Sequence, residues 1–306
     1  MLETSEHIEL DSHAIERGYK NCRTAVNKFF KGQTWPASNL PRAERRAINT
    51  ILFGLMRTID LFDLESVSGL SLDVWHEIRD DLSDAFRDQC SSVELAALVD
   101  ASRRFEIPKE YLFDPLRGAD LWIRNHQFET FEELEAFCSF VGGSTMAAAA
   151  PVLGLVKPDH EIPAIQCGKA IMLTQILATC IDDMKHNKVF FAREDLEDCE
   201  VDIPRLKLRR PSKSFRFLVR RYVARTEQLF QEGGQFVNYL DYDGKRSLKS
   251  LLAVNWKMLT KMKIEPECIF SPDGVLTRGE RLSLKSRHLL GMENRLPFVH
   301  EEEAHH

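Results

Sequence analysis

The chain has 306 residues, 43% of them hydrophobic, and its 41 basic and 47 acidic side chains give a net charge of -6. A chain of this length buries a large core, as one big helical domain or two smaller ones, and its acidic balance argues against a general nucleic-acid binder. The seven scattered cysteines (Cys22, Cys90, Cys138, Cys167, Cys180, Cys199 and Cys268) include no Cys-x-x-Cys pair, so they read as reduced thiols and make no metal site.

The first residues, MLETSEHIELDSH, are acidic and polar, unlike a secretory signal. The longest apolar run, 141–156, is broken by Gly142-Gly143 and Pro151 and falls short of a membrane span. The expectation is therefore a soluble, cytoplasmic, all-α chain: a polar tail over 1–12, one helical domain over 13–292, and a C-terminal tail over 293–306.

In chain order, apolar residues at helical spacing predict a first helix over 13–31, a loop over 33–39 around Pro36, and a helix over 42–64 with Pro41 at its entry. The apolar stripe of this second helix includes Ile48, Ile51, Leu55, Ile59 and Phe62, with Asp63 inside it and Asp60 at its edge beside Phe53. Asp60 and Asp63 are three residues apart, so their carboxylates can converge. They either face the interior, where they suit a hard divalent cation, or form an acidic helix end before Glu65.

Further helices are expected over 72–89, from a capping box at Ser91-Ser92-Val93-Glu94 to before Pro108, and over 109–125, where Pro115 and Gly118 interrupt the pattern. A second capping box, Thr130-Phe131-Glu132-Glu133, opens a helix through Phe137 and Phe140 into Val141-Gly142-Gly143-Ser144. Small residues there admit either a neighbouring helix or a ligand.

The stretch 163–184 is apolar almost all the way round and reads as the central buried helix of a bundle. Turned at about 100° per residue, it gathers Gln175, Thr179, Asp182 and Asp183 into roughly a quarter of the circumference. Such a stripe either lines a polar cavity or is the polar end of the helix before His186 and Lys188. Nine cations and no acid lie between Arg205 and Arg225. That run is either a solvated face or a surface for an anionic membrane or for phosphates. Helices over 215–231, 242–263 and 281–290 complete the chain, with no strand pattern and no repeat.

In order and spacing these residues resemble the squalene and phytoene synthases, head-to-head prenyl-diphosphate transferases of the all-α isoprenoid synthase fold. Leu40-Pro41-Arg42-Ala43-Glu44-Arg45-Arg46-Ala47 is similar to their Leu-Pro-x-x-x-Arg-x-Ala, and Arg57-Thr58-Ile59-Asp60 to their Arg-x-x-Asp. The stretch from Phe128 to Ser144 resembles their Tyr-x-Thr-Phe-x-Glu-Leu, Tyr-Cys and Val-Ala-Gly-Thr. Leu173-Thr174-Gln175-Ile176-Leu177 followed by Asp182-Asp183 resembles Leu-Thr-Asn-Ile-Leu-Arg-Asp-x-x-Glu-Asp. The resemblance covers about residues 20 to 290.

It implies a single helical bundle around a cavity. Magnesium would be held there by Asp60, Asp63, Asp182 and Asp183 against the diphosphate of a farnesyl or geranylgeranyl substrate. It further implies Asp60, Asp183 and Arg57 in catalysis, and Phe53, Gly143, Gln175, Thr179, Lys188 and Phe190 around the substrate. The basic run would serve as a diphosphate or membrane contact. Departures concentrate in the chemistry: Leu64, Phe53, Ala178 and Phe190 stand where the family has an acid, a Tyr, an Arg and a Tyr. A catalytically inactive relative that binds an isoprenoid or a protein partner is the alternative implied.

Overall fold

The computed structural model describes residues 11–31, 33–64, 71–292, 294 and 296–300, with the backbone alone at 63, 64 and 71. The Asp63 side chain, Glu65, and tail residues 1–10 and 301–306 lie outside the described residues. The helices are α1 (Ser12–Phe29), α2 (Arg42–Leu64), α3 (Ser71–Ala85), α4 (Val93–Arg104), α5 (Glu110–Asn125), α6 (Phe131–Cys138) and α7 (Ser144–Ala149). Then come α8 (Glu161–Lys185), α9 (Arg193–Asp198), α10 (Ile203–Lys207), α11 (Lys213–Gly233), α12 (Tyr242–Ile264) and α13 (Arg278–Leu289). The described residues contain no strand, only an isolated antiparallel bridge between Leu155 and Leu240.

The centre is α8, packed by α11 along one flank and by α6, α7 and the turn between them along another. Leu173, Ile176, Leu177, Cys180, Ile181 and Met184 are buried there. Close approach is set by glycine: a Cβ on Gly168 would fall 2.1 Å from the Gly142 carbonyl oxygen, and one on Gly142 would fall 2.5 Å from that of Gly168. The helix expected to run unbroken through Val141 widens into a π-helical turn, Ser139–Gly143, where these backbones meet. Burial alone pushes the Cys167 thiol up to about 12, so it stays protonated and packs as an apolar group.

Local signals were largely as expected, with instructive exceptions. The first capping box does not form: Ser92 caps α4 by accepting from Leu95 N, while Glu94 accepts from Asn21 on α1. At the second, Thr130 accepts from Glu133 N, but the Glu133 carboxylate reaches one residue further back, to Glu129 N. Helix α5 runs through Pro115 without a break. Two helical stretches, 131–153 and Glu161–Lys185, are long and apolar enough to cross a membrane by composition, contrary to the expectation that none would be. Both are mostly buried inside the bundle, where α8 forms its core. The stretch assigned to a C-terminal tail contributes Leu296 and Phe298 to the core, Phe298 lying against Phe230 and Trp256.

One buried polar knot ties both ends of the chain together. His288, 2% exposed, bonds Ser38 Oγ through Nε2 at 3.1 Å and Ser250 Oγ through Nδ1 at 2.7 Å. Burial, helped by the nearby Arg246 guanidinium, holds its pKa below the ordinary imidazole value. The unfolded chain takes up this proton near pH ~6.5, and the folded chain only at lower pH. The stability contributed here is therefore complete above that value and is lost as pH falls below it. In urea unfolding at about pH 7.5 and about pH 5.5, the wild type loses stability at the lower pH and His288→Gln loses less; an identical loss in both proteins contradicts this.

Candidate active site

Each of the two long core helices presents one accessible stripe. On α2, Phe53, Arg57 and Asp60 fall at i, i+4 and i+7; Phe53 and Asp60 are half-buried and Arg57 is exposed. Beside them a Cβ on Gly54 would meet nothing within 4 Å, so this side of α2 is open. On α8, Gln175 and Thr179 are exposed and Asp183 is half-buried, while Leu173, Thr174, Ile176, Leu177, Cys180 and Ile181 around them are buried.

The α8 stripe is wired internally. Thr179 Oγ1 donates to Asp183 Oδ2 at 2.6 Å, and Lys188 Nζ lies 3.6 Å from Asp183 Oδ1, both side chains largely shielded from solvent. Gln175 Nε2 donates to Asn255 Oδ1 on α12 at 2.8 Å. Asn255, itself buried, escaped the sequence reading; the one signal was a lone amide within Leu251-Leu252-Ala253-Val254-Asn255-Trp256.

Asp182 does not join this group. It is exposed and pairs instead with Lys185 at 2.5 Å and Arg209 at 3.6 Å. Gly143 meets helix backbone and side chain: a Cβ there would lie 2.9 Å from Ile165 Cγ2. Of the two uses allowed by its small size, the structure shows tight packing against α8.

Phe190 is buried in an aromatic cluster that joins the C-terminal ends of α2 and α8. It stacks on Trp122 at 4.3 Å and on Phe137 at 5.7 Å, and Phe62 of α2 stands edge-on at 6.1 Å. Phe62 faces this cluster, so Asp60, two residues earlier and about 160° around the helix, lies on a different face of α2. Four of the nine cations in the run are engaged within the fold. Arg221 and Arg225 clamp the buried Asp195, Arg216 pairs with Glu267, and Arg209 donates to the Phe270 carbonyl.

No three His, Cys, Asp or Glu side chains converge within reach of one ion among the described residues. Of the carboxylates singled out for a metal, Asp60 on α2 and Asp183 on α8 are the two that are described and half-buried. Single carboxylates of this kind suit magnesium, which keeps water ligands and takes one or two carboxylates plus substrate phosphate oxygens.

The arrangement is that of an isoprenoid synthase bundle with a pared-down polar site. A dehydrosqualene synthase crystallised with ligand superposes with a TM-score of 0.80 at 20% identity, over 91% of this chain and 98% of that one. A squalene synthase from Alicyclobacillus acidocaldarius gives 0.74 at 16%, over 84% and 97%. At these identities the two structures speak for the fold. A family model for squalene/phytoene synthase matches residues 35–271, and the chain belongs to that family. It is 26% identical to a 15-cis-phytoene synthase of Synechocystis sp. over 247 residues, 76% of this chain and 72% of that protein. It is also 24% identical to phytoene synthase 3 of Zea mays over 268 residues, 84% of this chain but 62% of the maize protein.

Proposed function

We propose that this chain is a prenyltransferase that takes an isoprenoid diphosphate, farnesyl or geranylgeranyl, between the open side of α2 and the polar stripe of α8. The carrying observation is that stripe: Gln175, Thr179 and Asp183 reachable on the helix at the centre of the core, within a family whose relatives include phytoene synthases.

Each side chain has a derivable part. Arg57 and Lys188 attract the diphosphate oxygens as charged donors. Lys188 must let go of Asp183 to do so, which frees that carboxylate. Thr179 fixes the Asp183 rotamer through its 2.6 Å bond, and Asn255 does the same for Gln175. Phe53, on the Asp60 side of α2, helps keep water from the prenyl end. Magnesium, held by Asp60 and Asp183 together with the substrate's own oxygens, would stabilise the departing diphosphate.

An inert analogue, farnesyl thiodiphosphate, tests this. With two single carboxylates, magnesium binds weakly to the protein alone, and its affinity rises by about tenfold or more once the analogue is present. Calorimetry showing tight magnesium binding without the analogue, or analogue binding indifferent to magnesium, would overturn the assignment.

A further inference from the structure

We propose that the groove between α1, the turn Trp35–Asn39 and the start of α2 is a second ligand site, taking a soluble small molecule with two or more phosphate groups. The groove encloses about 620 Å³, within the range of small-molecule sites, ~300–1,000 Å³. Its walls carry Arg17, Lys20 and Arg23 from α1 and Arg42, Arg45 and Arg46 from α2. The α1 cations are spaced three residues apart in turn, and the α2 cations three and four apart, so each set lies along one helix face.

Among the described residues the charge here is mostly uncompensated. Glu16 is the sole acid lining the groove, and Arg46 takes it at 2.6 Å while lying 3.9 Å over the Tyr19 ring. Arg45 donates to the Ser38 carbonyl at 3.0 Å. Arg17, Lys20, Arg23 and Arg42 have no acidic partner among the described residues. Elsewhere in this acidic protein surface arginines do find carboxylates, as Arg117 with Asp114 and Arg124 with Asp120. Four unpaired cations facing one hollow repel one another, and an anion bridging both walls relieves that repulsion. Cations on both walls favour a ligand with more than one phosphate, which can engage both sets at once. Trp35 and Ile48, also in the lining, give the groove an apolar surface as well.

None of the residues placed at the prenyl site lines this groove: Asn49, the lining residue furthest along α2, precedes Phe53 by four residues and Asp60 by eleven, roughly 6 Å and 16 Å of helix rise.

The test is calorimetric titration of the full-length protein with inorganic tripolyphosphate in magnesium-free buffer. Wild-type protein is expected to bind, the triple variant Arg17→Gln/Lys20→Gln/Arg42→Gln to lose about tenfold or more in affinity, and Lys188→Gln to retain it. Sulfate at matched ionic strength should not displace the ligand. Unchanged affinity in the triple variant, loss in Lys188→Gln instead, or equal displacement by sulfate would each overturn the proposal. So would binding to phosphatidic acid vesicles without binding to tripolyphosphate, which would make the groove a membrane contact.

Discussion

Asp183→Asn is expected to lower magnesium-dependent diphosphate release by about 10²–10³-fold, the scale on which a single positioned electrostatic group matters in a reaction centre. The substitution keeps shape and removes charge. Thr179 can still donate to the Gln175 carbonyl at 3.0 Å, so the local helix survives, but Lys188 loses its countercharge and the magnesium site proposed above loses its α8 carboxylate. Asp182→Asn serves as the contrast. Asp182 is exposed and engages Lys185 and Arg209, and its loss should leave the rate within about twofold, as for most exposed ion pairs. Equal damage from both substitutions would mean that the two aspartates act together, as the family motif suggests, and that their separation on α8 is irrelevant to the chemistry.

The second large effect is on stability. Asp195, 1% exposed, receives Arg221 at 2.8 Å and Arg225 on its other oxygen, and Arg225 also stacks 3.9 Å over Phe131. Burial alone would raise its pKa, but the bonds from Arg225, Arg221 and Tyr222 outweigh it and hold the carboxyl below its usual range. Asp195→Asn strands two guanidinium groups against α9 and is expected to cost about 3 kcal/mol, at the low end for a broken buried pair because both arginines retain some solvent. Urea denaturation measures this directly, and a midpoint equal to wild type would show that water replaces the carboxylate at no cost.

The fold was legible because helical periodicity is a local property. The bounds of α2 and the central place of α8 follow from where Ile, Leu, Met and Cys recur, whereas the π turn at Ser139–Gly143, where the sequence predicts unbroken helix, depends on the backbone of Gly168 arriving from α8. The site was legible only as candidates. Periodicity puts Asp182 and Asp183 on one side of α8, but it cannot say that Arg209, twenty-seven residues after Asp182, pairs with that one alone. Nor does any local pattern reveal that Asn255 steadies Gln175, or that Phe62, Trp122, Phe137 and Phe190 from four separate segments meet in one cluster. The role of the cationic run was hidden for the same reason: its main partner, Asp195, is a long-range contact inside a segment that reads as polar surface.

Incubation of the purified protein with labelled farnesyl and geranylgeranyl diphosphates, with and without magnesium, is the most direct test of the central claim. Pyrophosphate release and hydrocarbon product would be followed together. The account predicts magnesium-dependent release of pyrophosphate with a condensed prenyl product from one of the two substrates. Absence of turnover for both, with the diphosphates bound no better in magnesium than without it, would contradict the claim and make this chain a family member whose cavity has lost its chemistry.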